Sequence, residues 1–204
     1  MRFLCKYGSV VITLLNQKGG TGKSTLAYLL ACALKNAKIE VALRDLDSQG
    51  TVRKAVQRLG EIPMADEAPT QVVIQDTPGR LPLDSPTELA SAAKLIQCSD
   101  RVLLISELSI HSVEASGPAA LFVNTHLPKT AKAFVVWNKV RTTTKTGRQD
   151  RDALASMLGL KSAQNWIPLA SCYEEVLIDG YQKAMKNKRQ FKQAIESLAL
   201  EILT

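Results

Sequence analysis

A chain of 204 residues with 46% hydrophobic and 22% charged residues can bury a sizeable core as a single globular domain over 1–204, which excludes a disordered polymer. No apolar run approaches the length of a bilayer-spanning helix, and the stretch nearest the N-terminus is cut by Asn16 and a glycine-rich loop, so it reads as a buried strand of a cytoplasmic protein rather than a signal peptide. Cys5, Cys32, Cys98 and Cys172 are scattered without a C-x-x-C pair, which points to free thiols and to neither zinc nor iron–sulfur chemistry, while the formal net charge of +7 favours a polyanionic partner.

The first element is the β-branched run Ser9 to Leu15 (SVVITLL), and it leads into Asn16 to Thr25 (NQKGGTGKST). The ending G-K-S is that of a phosphate loop, although Gln17 stands where the general pattern G-x-x-x-x-G-K-[ST] has its first glycine. In such a loop Gly19, Gly20, Thr21 and Gly22 turn backbone N–H groups onto phosphate oxygens, Lys23 neutralises the β and γ phosphates, and the Ser24 hydroxyl ligates Mg²⁺. Leu26, Leu29, Leu30, Ala33 and Leu34 follow at helical spacing, so Thr25 lies at a helix N-terminus whose free N–H groups face an anion.

Further short apolar strands are expected at Glu40 to Arg44, Gln71 to Gln75, Arg101 to Ile105 and Ala133 to Trp137. A small helix through Val52, Val56 and Leu59 fits the short interval after the second strand. Ser85-Pro86-Thr87-Glu88 is a capping box that starts another helix, through Leu89, Ala93 and Ile96. This alternation predicts an α/β fold with an open, mostly parallel sheet flanked by helices, where ligands sit beyond the carboxyl ends of the strands. Asp45-Leu46-Asp47 follows the second strand and Asp76-Thr77-Pro78-Gly79 the third, which brings three carboxylates to one rim. An Asp in the place of Asp76 holds Mg²⁺ in phosphate-loop NTPases, often through water. Asn138, after the fifth strand, either presents its amide to an adenine edge or is a turn asparagine.

KGGTGKST with Lys18 ahead of it, DLDSQG, DTPG and the late WNKV together resemble the ParA/MinD group of deviant Walker-A ATPases. The resemblance implies an ATP- and Mg²⁺-dependent ATPase in which Lys18 reaches across an ATP-sandwiched homodimer to the partner subunit's phosphates. By the same resemblance Asp47 positions the attacking water, Asp45 supports the metal shell and Asn138 reads adenine. Two departures stand out: Ser48 occupies a position that is often proline, and Ser106-Glu107-Leu108-Ser109 replaces a proline-containing segment. The short interval between Gly50 and Asp76 marks a compact member, for which specific operator binding is not expected.

Basic residues gather in Gln182 to Gln193, where Lys183, Lys186, Lys188, Arg189 and Lys192 occur without an acidic residue, and again between Lys139 and Arg151 with Arg141, Lys145 and Arg148. Such clusters suit phosphate contacts, so the expected partners are non-specific DNA and a ParB-like or other cargo adaptor, with a nucleoid-associated location. The competing class is a MinD-like membrane-positioning ATPase with a basic amphipathic anchor. Phe191, Ile195, Leu198, Ala199 and Ile202 do share one helical face, but Glu196 and Glu201 on the polar side disfavour anionic lipid, so this helix is expected to dock on the domain.

Overall fold

A computed structural model describes residues 8–67, 70–81, 84–141, 143 and 150–204. Cys5, Lys145 and Arg148, named above, lie outside the described residues. The strands are β1 (Val10–Leu15), β2 (Val41–Asp45), β3 (Val72–Asp76), β4 (Arg101–Glu107), β5 (Lys132–Asn138) and β6 (Lys161–Ser162). The helices are α1 (Lys23–Asn36), α2 (Thr51–Leu59), α3 (Pro86–Gln97), α4 (Ile110–His126), α5 (Arg151–Ser156), α6 (Ser171–Asp179), α7 (Tyr181–Ala184) and α8 (Arg189–Glu201).

The strands form one parallel sheet in the order β2-β3-β1-β4-β5-β6. The five expected strands are present, each within one or two residues of its expected limits. The sixth, β6, has only two residues and none of the β-branched character that marks a strand in sequence; pairing with Phe134 and Val135 recruits it. Alternation along each strand divides the core between the two faces. Ile12, Leu14, Leu103 and Ile105 pack with α1, α2, α6, α7 and α8, whereas Leu15, Val102, Leu104 and Trp137 pack with α3, α4 and α5. The connection leaving β1 runs to β2 at one edge and the connection leaving β3 runs to β4 across β1, so the chain switches direction between β1 and β3. The crevice above that pair is where a parallel sheet leaves room for a ligand.

The capping box forms as expected: Ser85 Oγ accepts from the Glu88 N–H at the start of α3, with Pro86 at the first helical position. Helix α8 docks on the domain through Ile195, Leu198, Ala199 and Ile202, all buried, with Phe191 packed against the same cluster. Glu201 does more than occupy a polar face. Its carboxylate accepts from the Gln164 N–H at 2.6 Å, from the Asn165 N–H at 2.9 Å and from Asn165 Nδ2 at 2.7 Å, and so ties α8 to the segment after β6. Among the described residues no helix is long and apolar enough to cross a membrane.

Candidate functional site

The glycine loop between β1 and α1 is held from within by Asn16, whose Nδ2 donates to Thr21 Oγ1 and whose Oδ1 accepts from the Lys18 N–H at 2.8 Å. Gly20 and Gly22 are in the left-handed region at φ 79° and 81°, where a side chain is disfavoured. Gly22 caps α1, whose first turn has neither a capping side chain nor an acidic residue. The partial positive charge of that end is therefore left for a ligand.

Lys23 is 5% exposed and donates from Nζ to Asp76 Oδ1 at 2.8 Å and to the Thr77 carbonyl oxygen. Asp76 is fully buried at the end of β3, where Thr77 Oγ1 donates to the Leu14 carbonyl oxygen and ties β3 to β1. Burial pushes the Asp76 carboxyl above its usual range; the Lys23 ammonium and the Ser24 hydroxyl pull it back, and Asp45, its register partner on β2, pushes the same way as burial. Lys23 and Asp76 thus satisfy each other at the floor of the crevice.

The other two rim carboxylates differ in what they do. Asp45 accepts from the Asp47 N–H at 3.0 Å and from the Arg53 N–H at 2.8 Å, so it shapes the loop after β2 and caps α2 from outside the helix. Both its oxygens are engaged with backbone. Asp47 is half-buried, accepts from the Gln49 N–H at 3.0 Å, and lines the same cleft as Lys18, Gly20, Lys23 and Ser24. Lys18 is exposed, and its ammonium has no hydrogen-bond or ion-pair partner among the described residues.

The cleft has a volume of about 330 Å³ and runs from the glycine loop to a wall made by Ile167 to Ala170, Tyr173, Glu174 and Leu177. The sequence reading assigned no role to that wall. Its only signal is the short apolar run with a proline, Trp166 to Ala170, and what places it is a single bridge between Val140 and Pro168, with the Val140 N–H donating to the Ile167 carbonyl oxygen and the Leu169 N–H to that of Val140. Asn138 is 6% exposed, and its Nδ2 donates to the Thr21 carbonyl oxygen at 2.6 Å, so at least one amide hydrogen is directed at the loop rather than the cleft. Lys139, also unassigned in sequence, donates from Nζ to the Gly20 carbonyl oxygen at 2.9 Å.

Mg²⁺ fits this donor set on two grounds. Asp76 Oδ2 is buried without a hydrogen-bond donor, and the groups beside it, the Ser24 hydroxyl and the carboxylate itself, are hard oxygens. Among the described residues no group of three or more His, Cys, Asp or Glu could hold a metal by protein ligands alone, so phosphate oxygens and water have to complete its shell.

The basic segment is less uniform than its sequence suggests. The break at Gly180 between α6 and α7 leaves Asp179 2.9 Å from Lys183, and a turn of α8 brings Glu196 to Lys192 at 3.7 Å. Lys186, Lys188 and Arg189 are exposed without an ion-pair partner among the described residues, around the uncapped start of α8, which has no acidic residue in its first turn. Asn187, left-handed at φ 58°, turns the chain between α7 and α8. Cys32, Cys98 and Cys172 are free thiols.

A glycine loop at the head of a helix, a buried lysine on a strand-end aspartate and a cleft over the switch point define a phosphate-loop nucleotide-binding protein. The chain belongs to the CobQ/CobB/MinD/ParA nucleotide-binding domain family, whose model it matches over residues 12–179. Among solved structures it is similar to the MinD cell division protein of Aquifex aeolicus, at 14% identity and TM-score 0.72 over 96% of this chain and 97% of that one. It is also similar to apo McdA of Cyanothece (14%, TM-score 0.71, 95% and 99%) and to a ParA family ATPase of Chlorobium tepidum TLS (16%, TM-score 0.66, 95% and 98%). At these identities the likeness is one of fold. No curated protein matches the sequence.

Proposed function

We propose that this protein is a ParA-like ATPase. It forms an ATP-sandwich homodimer, binds DNA without sequence preference, and positions or segregates a cargo such as a plasmid, a chromosome region or a protein body. A ParB-like or other cargo adaptor stimulates hydrolysis and ends each cycle.

The observation that carries this reading is the contrast between the two loop lysines. Lys23 is buried on Asp76, whereas Lys18 stands at the mouth of the same cleft with no hydrogen-bond or ion-pair partner for its ammonium among the described residues. A cation so placed is available to the phosphates of a second subunit, where it stabilises charge developing on the transferred phosphoryl group much as an arginine finger does. Within one subunit the phosphates lie on the backbone N–H groups of Gly19 to Thr25 and compete with Asp76 for the Lys23 ammonium. Release of Asp76 leaves its carboxylate, with Ser24, to hold Mg²⁺, which neutralises phosphate charge when bound. Asp47 orients the attacking water, and Asp45 supports the site through the loop it shapes.

Lys186, Lys188 and Arg189, with Lys183 and Lys192, supply the DNA contacts, and the location is the nucleoid. A MinD-like membrane role is the less supported reading, because the apolar side of α8 is already packed on the domain. Retention on duplex DNA of unrelated sequences in ATP and Mg²⁺, compared with ADP, tests the proposal. Binding is expected to be tight only with ATP and to weaken steeply with salt, since phosphate contacts release condensed counterions. Co-sedimentation with anionic liposomes in ATP, without DNA retention, overturns it in favour of the membrane class.

A further inference from the structure

Just beyond α2, the half-buried Glu61 joins α1 to the start of α7. Its Oε2 accepts from Tyr28 Oη on α1 at 2.8 Å and from the Tyr181 N–H at 3.0 Å, and its carbonyl oxygen accepts from Lys35 Nζ, also on α1. Burial and the bond to Glu61 push the Tyr28 hydroxyl well above its usual range, which keeps it a donor. Arg58, in the last turn of α2, donates from Nη2 to the Leu177 carbonyl oxygen on α6. The end of α2 therefore grips both sides of the break at Gly180. That glycine is required by the grip: its backbone lies at φ 84° and ψ 160°, a region open essentially to glycine alone, and a Cβ there would lie 2.9 Å from Glu61 Oε1.

The two helices that meet at Glu61 both begin at the phosphate site. Helix α1 starts at Lys23, and α2 starts at Thr51, on the cleft, after the loop that carries Asp47 and that Asp45 ties to the Arg53 N–H at 2.8 Å. Before the break, α6 supplies Tyr173, Glu174 and Leu177 to the cleft wall; after it, α7 leads into Lys183, Lys186, Lys188 and Arg189. We infer that Glu61 is a positioning residue that couples nucleotide binding in the cleft to DNA binding by the basic segment, through the α6–α7 junction it holds. This rests on the ParA-like reading, which assigns DNA to that segment, and adds the residue through which cleft and segment communicate. Without the bonds from Tyr28 and to Tyr181, α7 is free to turn at Gly180 independently of α6, and energy gained at one site no longer reaches the other.

Linkage gives the coupling a measurable form. The factor by which Mg²⁺ and AMPPNP tighten duplex DNA equals the factor by which that DNA tightens AMPPNP. Both are read by fluorescence anisotropy on the wild type, Glu61→Ala and Tyr28→Phe, with the dimer fraction followed by analytical ultracentrifugation. Tyr28→Phe removes only a hydroxyl, so it reports on the junction even where Glu61→Ala unfolds. The factor is expected to fall about threefold in Tyr28→Phe and further in Glu61→Ala, which removes both bonds, while affinity for AMPPNP alone and the dimer fraction stay at wild-type values. An unchanged factor in the folded variants overturns the inference. So does a factor lost together with the dimer or with affinity for AMPPNP alone, because the effect then lies in dimerisation or in the cleft. A folded wild type that binds AMPPNP without tightening DNA defeats the ParA-like reading itself, and the role of Glu61 with it.

Discussion

Gly22→Ala isolates the contact on which the geometry of the loop depends. Gly20 and Gly22 have nearly the same backbone, φ 79° and 81°, yet nothing lies within 4 Å of a Cβ on Gly20 whereas the Asn138 amide lies 2.7 Å from one on Gly22. Both substitutions force an L-residue into the left-handed region at a cost of about 1–2 kcal/mol. Only Gly22→Ala also displaces a buried amide and leaves the Thr21 carbonyl without its donor, which adds about 1–3 kcal/mol. The expected losses are about 1–2 kcal/mol for Gly20→Ala and about 2–5 kcal/mol for Gly22→Ala, the latter lowering Tm by about 4–20 °C for a chain of this size. Urea denaturation of the nucleotide-free protein measures both, provided the m-value is unchanged. In the double variant Gly22→Ala/Asn138→Ala the second substitution removes what the first collides with, so its cost should fall below the sum of the single costs. Equal destabilisation by Gly20→Ala and Gly22→Ala, or strict additivity in the double variant, refutes the reasoning.

Lys23→Ala leaves the buried Asp76 carboxylate unpaired and should cost about 3–5 kcal/mol of stability as well as nucleotide binding, with Lys18→Ala near wild-type stability but deficient in ATP-dependent dimer by analytical ultracentrifugation. Asp47→Ala should keep ATP bound and accumulate the dimer while stimulated phosphate release falls, and a wild-type stimulated rate rejects Asp47 as the water-orienting group. Neutralising Lys186, Lys188 and Arg189 should flatten the salt dependence of DNA binding by about three contacts' worth of slope, about one per residue, whereas neutralising the paired Lys183 and Lys192 should remove less per residue; an equal change per residue would contradict the inequality read from Asp179 and Glu196. Glu201→Gln weakens the hydrogen bonds that tie α8 to Gln164 and Asn165, at an expected cost of about 1–3 kcal/mol in urea unfolding.

Much of this protein is local in origin and therefore legible in the chain. The loop Gly19 to Ser24, the apolar strands and the capping box at Ser85 depend on neighbours a few residues away: backbone freedom, alternation and cap geometry are properties of short segments. The rim carboxylates were legible too, because a parallel sheet sends whatever follows its strands to one edge. What the chain could not disclose are pairings across long separations. Asp45, Asp47 and Asp76 look alike in sequence, and only packing gave the first to the backbone of α2, left the second at the cleft and buried the third against Lys23. Strand β6 exists because β5 offers it an edge, and the wall at Ile167 to Ala170 follows from one bridge to Val140. Lys183 and Lys192 are as unopposed in sequence as their neighbours, but the α6–α7 junction brings the first to Asp179 and a turn of α8 the second to Glu196, both just outside the basic segment. Asn138 and Lys139 are 117 and 119 residues from the carbonyls they hold. No local preference encodes such a contact; it exists because the sheet order sets β5 beside β4, β4 beside β1, and the loop that follows β1 within reach of both side chains.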